Sequence, residues 1–220
     1  MKETLETQIH KAWSTALVSW NHPNIPYVIT AKTQEDLKQL GERGSALKDE
    51  LAFMKFPEFQ TYANVAKIAD AFKEDGQRGL NAILKHEIGH RFCPYDLVTL
   101  IIMQHDIENA LEGMKLPYPA QNAAPIIMNM FTDMCINTRQ TRDDDKDIPW
   151  AYKMMAAKNK WSENKLFKVY GRSMEHAWQD EIIGNSKLSQ NEEDAAKKIA
   201  ELFEGNYFHR NNWRRNIKEY

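Results

Sequence analysis

This sequence of 220 residues predicts a mainly helical fold with a small β element. Apolar residues recur at spacings of three and four along most of the chain, which is the periodicity of amphipathic helices. Residues 27–31 form the one short segment that combines β-branched and aromatic side chains between a proline and a polar stretch. Apolar residues make up 42% of the chain, enough for a buried core at this length. We therefore expect a domain over residues 1–150 and a helical extension over residues 151–220 that packs on it as one compact unit.

The first part of the chain predicts a helix, the strand and a second helix, in that order. Residues 3–20 place their apolar side chains on one helical face, and a turn then leads into the strand. Thr33 has the properties of a helix N-cap, with Asp36 three residues later as its partner in a capping box. The second helix should therefore begin after Thr33 and end near Leu40.

Helical periodicity continues through the middle and the end of the chain. Residues 45–56 fit a helix that Pro57 ends, and residues 59–72 fit another, although their aromatic start fits a strand equally well. Further helices are expected over residues 78–92, 97–111 and 124–137, and again from residue 150 onwards.

The composition excludes several classes of protein. A formal net charge of -2 argues against a surface built for nucleic acid. Residues 1–21 contain no uninterrupted apolar run, so neither a signal peptide nor a membrane anchor is expected, and we predict a cytoplasmic protein with no membrane partner. Cys93 and Cys135 are too few to staple a fold of this size and are expected to be reduced thiols.

His86, Glu87 and His90 form the pattern His-Glu-x-x-His on a predicted helix. Because a helix has 3.6 residues per turn, the two imidazoles stack on one face within reach of one metal ion. The small residues Ala82 and Gly89 leave room on that face. The pattern is the one that zinc hydrolases use, with the glutamate as the base that takes a proton from metal-bound water.

A catalytic zinc needs a third protein ligand, and Asp133 is the first choice. It lies in the centre of a predicted apolar helix, where a carboxylate is costly unless it is paired or bound to a cation. Asn129 and Asn137 lie one turn to either side and are suited to orient a ligand through hydrogen bonds.

Two other residues compete with Asp133 for the position of third ligand. Asp96 follows His86 by ten residues, the spacing at which metzincin-like sites supply their third ligand, but Asp96 also fits the N-cap of the helix at residues 97–111. Cys93 follows His86 by seven residues and shares its helical face, although cysteine is also a common buried residue.

The chain resembles the zincins, the His-Glu-x-x-His metallopeptidases, over about residues 78–138. The motif together with the polar line on the later helix is similar to a group of predicted prokaryotic metallopeptidases that are often encoded with von Willebrand A domains. This resemblance implies a zincin-like helical metallopeptidase domain. It also implies a zinc site built from His86, His90 and Asp133, with Glu87 as the catalytic base.

We therefore expect a zinc-dependent peptidase or amide hydrolase that takes Zn²⁺ as its cofactor and a peptide or protein as its substrate. The candidates for stabilising the oxyanion are Arg172, either Tyr170 or Tyr207, and either His176 or His209. The alternative is a helical binding module with a structural metal site or none. That hypothesis rests on residues 205–215, where basic and aromatic side chains are interleaved in a way that can hold nucleic acid or a protein partner.

Overall fold

The computed structural model describes residues 3–22, 24–93, 97–115, 119–142 and 145–203. The described chain is mainly helical and contains one three-stranded sheet, which confirms the predicted mainly α class with a small β element. It divides into two compact units, one formed by residues 1–92 and 146–158 and the other by residues 93–145 and 159–220. The predicted division at residue 150 stays a prediction.

The first unit contains the sheet and five helices before residue 90, and a sixth helix that follows residue 146. The helices of this unit are α1 (Leu5–Ser19), α2 (Gln34–Gln39), α3 (Glu42–Asp49), α4 (Val65–Ala71), α5 (Gly76–Gly89) and α8 (Asp147–Lys158). Its strands are β1 (Ile29–Ala31), β2 (Ala52–Lys55) and β3 (Gln60–Asn64).

The sheet has the order β1-β3-β2, so β3 is its central strand. β1 pairs with β3 in parallel and places Ile29 opposite Tyr62, whereas β2 pairs with β3 in antiparallel fashion and places Phe53 opposite Tyr62. The rings of Phe53 and Tyr62 stack with their centroids 5.1 Å apart. The strand predicted at residues 27–31 is therefore present as β1.

Two predicted helices in this region are wrong in part. The helix expected over residues 45–56 ends at Asp49, and the chain then continues as β2; the helix expected over residues 59–72 is strand β3 followed by the short helix α4. The spacing of Leu47 and Met54 suits one helical face. In the structure Leu47 belongs to α3 and Met54 to β2, and both side chains are buried. A central strand is covered on both faces, so its residues are buried in succession and do not alternate.

α1 packs along α5 and supports its C-terminal end. The indole Nε1 of Trp20, just after α1, donates a hydrogen bond to the carbonyl of Lys85 at 2.7 Å. The same indole stacks on Phe92 with a centroid distance of 5.0 Å. The indole N–H has a hydrogen-bond partner although the ring is buried, so burying this polar group carries little free-energy penalty. The contact therefore stabilises the end of α5.

A carboxylate of α8 contacts two side chains of α5. Asp147, in the first turn of α8, lies 3.0 Å from Nε of Arg78 and 3.4 Å from Nζ of Lys85. The side chain of Lys85 is only 10% exposed. A buried ammonium group needs such a partner, so Asp147 makes the packing of α8 on α5 specific.

The described residues of the second unit form α6 (Leu97–Leu111), α7 (Ala120–Arg142), a 3-10 turn (Trp161–Glu163), α9 (Lys165–Trp178) and α10 (Gln190–Glu201). α6 matches its predicted range, and α7 extends the predicted helix at residues 124–137 by about one turn at each end. α7 packs against both α6 and α9. The hydroxyl of Tyr170 on α9 donates to the carbonyl of Met130 on α7 at 3.2 Å.

The connection between α9 and α10 is held by a carboxylate. Oε1 of Glu175 accepts hydrogen bonds from the backbone N–H groups of Ile182, Ile183 and Gly184 at 2.7–2.9 Å. Arg172 contacts the same carboxylate and donates to the carbonyl of Gly184. These three N–H groups and the carbonyl of Gly184 thus have hydrogen-bond partners within the unit. In the part of the chain that the structure describes, no helix combines the length and the hydrophobicity needed to cross a membrane.

Candidate metal centre

α5 carries the histidine motif, and its sequence explains where it begins and how it packs. Asp75 caps its N-terminus, accepting a hydrogen bond from the backbone N–H of Arg78 at 3.0 Å. Gly79 allows the ring of Phe72 to approach the helix, since a Cβ at this position would lie 2.4 Å from that ring. α5 is therefore fixed in position by packing on α4 as well as on α1 and α8.

His86 lies in the last turn of α5, and His90 is its C-cap residue. His90 has φ -62° and ψ -16°, which is still right-handed helical backbone. The i, i+4 relationship of the two side chains therefore persists across the helix end, as the motif predicts.

The two imidazoles meet through their Nε2 atoms, which lie 3.2 Å apart. Their ring planes are at 88° with a centroid distance of 4.9 Å, and both residues are half-buried. Two nitrogens bonded to one tetrahedral zinc ion, each at about 2.0–2.1 Å, lie roughly 3.3 Å apart. The structure thus brings the two predicted histidine ligands together at a separation that fits a shared metal ion.

Glu87 follows His86 directly and is only 6% exposed. A residue one position further along a helix leaves the axis about 100° away, so Glu87 lies beside the histidine face and not on it. Glu87 is therefore a buried carboxylate beside the half-buried His86 along the helix.

Asp133 lies on α7 in the second unit and is half-buried. Its Oδ2 accepts a hydrogen bond from Nδ2 of Asn129 at 3.2 Å, so one of the two orienting contacts expected along this helix is present. Asn137, the other member of the polar line, is fully buried. The hydroxyl of the neighbouring Thr132 donates a hydrogen bond to the backbone carbonyl of Asn129 at 2.9 Å, within the same helix.

Cys93, the thiol alternative for the third ligand, lies in the second unit next to Cys135. Cys93 and Cys135 are free, fully buried cysteines of the second unit, as expected for reduced thiols. Burial raises the pKa of the Cys93 thiol well above its usual range, and the hydrogen bond to Cys135 and the charge of Asp133 act in the same direction. The other competitor, Asp96, lies outside the described residues.

Of the candidates for oxyanion stabilisation, Tyr170, Arg172 and His176 have structural contacts in the second unit, and Tyr207 and His209 lie outside the described residues. Tyr170 donates to the backbone of α7, and Arg172 contacts the carboxylate and the carbonyls of the loop between α9 and α10. Nε2 of His176 lies 2.7 Å from Oε1 of Glu193. Residues 205–215, the basis of the alternative binding hypothesis, lie outside the described residues.

The supporting residues of α5 are what sequence reasoning missed. Lys85 precedes His86 and is buried, and its carbonyl and its ammonium group contact Trp20 and Asp147 respectively. A lysine within an apolar helical stripe is a signal for such a partner, but the partner is 62 residues away in sequence and no local pattern identifies it.

In comparisons with known proteins, no family model, no curated protein and no solved structure matches this chain. The resemblance to the zincins consequently stays a prediction that rests on the motif and its helix. The geometry of His86 and His90 is an observation independent of that resemblance.

Proposed function

We propose that this chain is a zinc-dependent hydrolase of peptide or other amide bonds. The observation that carries the proposal is the 3.2 Å separation of the Nε2 atoms of His86 and His90 at the end of a well-packed helix. Of the described residues, His86, His90 and Asp133 are the candidates for a metal-binding set of three, each offering one ligand atom from a partly buried side chain. Three protein ligands would leave one position for water and substrate, as in catalytic zinc sites.

The chemistry divides between the metal and the chain. A bound zinc ion polarises a carbonyl group and lowers the pKa of a bound water to about 7. Glu87 would take a proton from the attacking water and return it to the leaving nitrogen, acting first as a base and then as an acid. His86 and His90 would hold the ion through Nε2, and Nδ1 of each ring would then carry the remaining proton.

Asp133 is proposed as the third ligand because a carboxylate is a common zinc ligand and because its own contacts suit that role. Asn129 holds Oδ2 of Asp133, and such a hydrogen bond fixes the orientation of a ligating carboxylate. The described residues whose ligand atoms gather as a possible metal-binding set include Asp133 and do not include Cys93.

The experiment compares zinc-loaded wild-type protein with Glu87→Gln in the cleavage of a mixed peptide library, followed by mass spectrometry. Glu87→Gln keeps the shape of the side chain but cannot accept the proton, so we expect equal zinc content and a rate that is lower by about 100-fold or more. Glu42→Gln, at an exposed position in the same unit, is the matched control and should cleave at the wild-type rate.

The same comparison separates an enzyme from a protein with a structural ion. A structural ion would raise the melting temperature on zinc binding and leave every peptide intact. Zinc-loaded wild-type protein that cleaves no peptide or other amide substrate, or cleavage that Glu87→Gln leaves unchanged, would contradict the proposed role of Glu87.

A further inference from the structure

Arg91, the residue after His90, packs its guanidinium group on an aromatic ring. Its Cζ lies 3.6 Å from the centroid of the ring of Phe59, which belongs to the connection between β2 and β3. Both residues are half-buried, and both belong to the first unit. A guanidinium group that stacks on a ring keeps the N–H donors around its edge for another partner.

The guanidinium of Arg91 has no anionic partner among the residues that the structure describes. Its contact there is the Phe59 ring, with neither an ion pair nor a side-chain hydrogen bond. The basic side chains of α5 differ, because Arg78 and Lys85 both contact the carboxylate of Asp147. A partly buried cation has lost some of its hydration, and an aromatic ring does not replace those hydrogen bonds. Arg91 is therefore suited to bind an anionic group from outside the chain.

Phe59 supports Arg91 from an uncommon backbone conformation. Its φ is +53°, in the left-handed region that bulky residues rarely adopt. The ring also packs edge-on against Phe56, with a centroid distance of 5.1 Å. Residues held in such conformations are concentrated at sites where a side chain contacts a ligand. The turn between the two strands thus fixes the ring on which Arg91 stacks.

Arg91 lies next to the proposed metal site, on the side of Glu87. The backbone N–H of Arg91 donates to the carbonyl of Ile88 at 3.0 Å, so the chain still winds as a helical turn past His90. Arg91 follows Glu87 by four residues, a spacing that places two side chains about one turn apart. Its Cα is about 3.8 Å from that of His90, since the two residues are consecutive. An anion bound by Arg91 would therefore lie beside the groups proposed to act on the substrate.

We propose that Arg91 binds a carboxylate of the peptide substrate through the N–H donors at the edge of its guanidinium, while Phe59 holds the group in place. The inference rests on the proposed function and names its substrate class, peptides with a carboxylate near the bond that is cut. Guanidinium and carboxylate groups pair through two parallel charge-assisted hydrogen bonds, which are stronger than hydrogen bonds between neutral groups. An acidic side chain and the C-terminus of a peptide both present this group.

The test measures the binding of three labelled peptides that share one length and one uncharged core. The first contains two glutamates and has an amidated C-terminus, the second has a free C-terminal carboxylate, and the third is uncharged and amidated. Fluorescence anisotropy reports the affinity of each peptide for the wild-type protein in EDTA, so the binding result needs neither metal nor catalysis. The variants are Arg91→Gln and Arg91→Lys. The matched control is Arg43→Gln, which removes an exposed arginine of the same unit whose Cζ lies 5.5 Å from the centroid of the Tyr62 ring.

We expect at least one of the two carboxylate peptides to bind the wild type about tenfold or more tightly than the uncharged peptide. Preference for the first peptide would identify an acidic side chain as the source of the carboxylate, and preference for the second would identify the C-terminus. Arg91→Gln should abolish the preference, and Arg91→Lys should keep only part of it, because an ammonium group cannot form the paired hydrogen bonds. Arg43→Gln should keep the preference in full.

Three results would overturn the inference. The first is equal binding of all three peptides by the wild type, a comparison that needs no variant. The second is a preference that survives in Arg91→Gln or, if that protein does not fold, one that survives undiminished in Arg91→Lys. The third is an equal loss in Arg43→Gln, which would indicate a general effect of positive charge.

The cleavage result distinguishes this inference from the proposed function. Carboxylate-selective binding without cleavage of any peptide by the zinc-loaded wild type would contradict the hydrolase and support the role of Arg91. Equal binding and equal rates of cleavage for all three peptides would support the hydrolase and overturn the role of Arg91.

Discussion

The Nε2 atoms of His86 and His90 face one another at 3.2 Å across nearly perpendicular rings. Two arrangements satisfy facing nitrogens at this distance: one ring donates an N–H to the other, or both direct lone pairs at one cation. Added zinc distinguishes them, because metal binding requires both Nε2 atoms to be deprotonated.

Asn129→Ala should weaken zinc binding without unfolding the protein. The substitution removes the hydrogen bond to Oδ2 of Asp133, and loss of a contact that orients a ligand lowers metal affinity by about tenfold or more. Isothermal titration with zinc gives the affinity, and Asn122→Ala, at an exposed position earlier on α7, is the control. If both variants bind zinc like the wild type, Asn129 does not orient a metal ligand.

Asp147→Ala should destabilise the protein by about 2 kcal/mol, a figure reduced from the value for a fully buried pair because Asp147 is 24% exposed. The carboxylate contacts Arg78 and the largely buried Lys85, and its removal weakens the packing of α8 on α5. Urea unfolding measures the loss. Asp70→Ala removes an exposed carboxylate of the same unit that contacts lysines only at the surface, and its effect should be clearly smaller.

Asp36 should give the protein an acid-sensitive component of stability. Hydrogen bonds from the backbone of Lys32, and then from Thr33, lower the pKa of this carboxyl below its ordinary value of 3.8. A lowered pKa in the folded state means that the contribution is present above 3.8 and is lost as the pH falls through the folded value. Unfolding curves between pH 3 and pH 7 should therefore show a smaller loss at the acid end for Asp36→Asn than for the wild type. Parallel pH profiles would contradict this assignment.

The two cysteines should be unreactive in the folded protein. Both are fully buried, and the raised pKa of Cys93 keeps its thiolate fraction low at neutral pH. A chromogenic disulfide reagent should report close to none of the two thiols in buffer and both in denaturant. Rapid modification of the native protein would show that this part of α7 opens readily.

Local chemistry explains which parts of the fold were predictable. The capping box of Thr33 and Asp36 was predicted from spacing alone and is present, because both partners lie within one turn. The helix at residues 97–111 was predicted with its observed bounds, since its apolar run is long and contains no proline. The hydrogen bond between Asn129 and Asp133 likewise follows from the i, i+4 geometry of one helix.

The parts that were missed depend on residues far apart in the sequence. β3 is a strand because it pairs with both β1 and β2, and its apolar spacing alone also fits a helix. The contact of Lys85 with Asp147 joins two helices, and the apolar character of α6 did not indicate that half of it is exposed. For the site, His86, Glu87 and His90 could be identified locally, whereas a ligand from another helix depends on tertiary packing that spacing does not encode.

The most direct test of the central claim is the zinc content of purified, zinc-supplemented protein, measured by inductively coupled plasma mass spectrometry after dialysis. We expect one zinc ion per wild-type chain and well below half of that in His86→Ala, His90→Ala and Asp133→Ala. His10→Ala, which removes an exposed histidine on α1, should retain one ion per chain. A wild-type protein without stoichiometric zinc, or a His86→Ala protein that keeps it, would contradict the metal site.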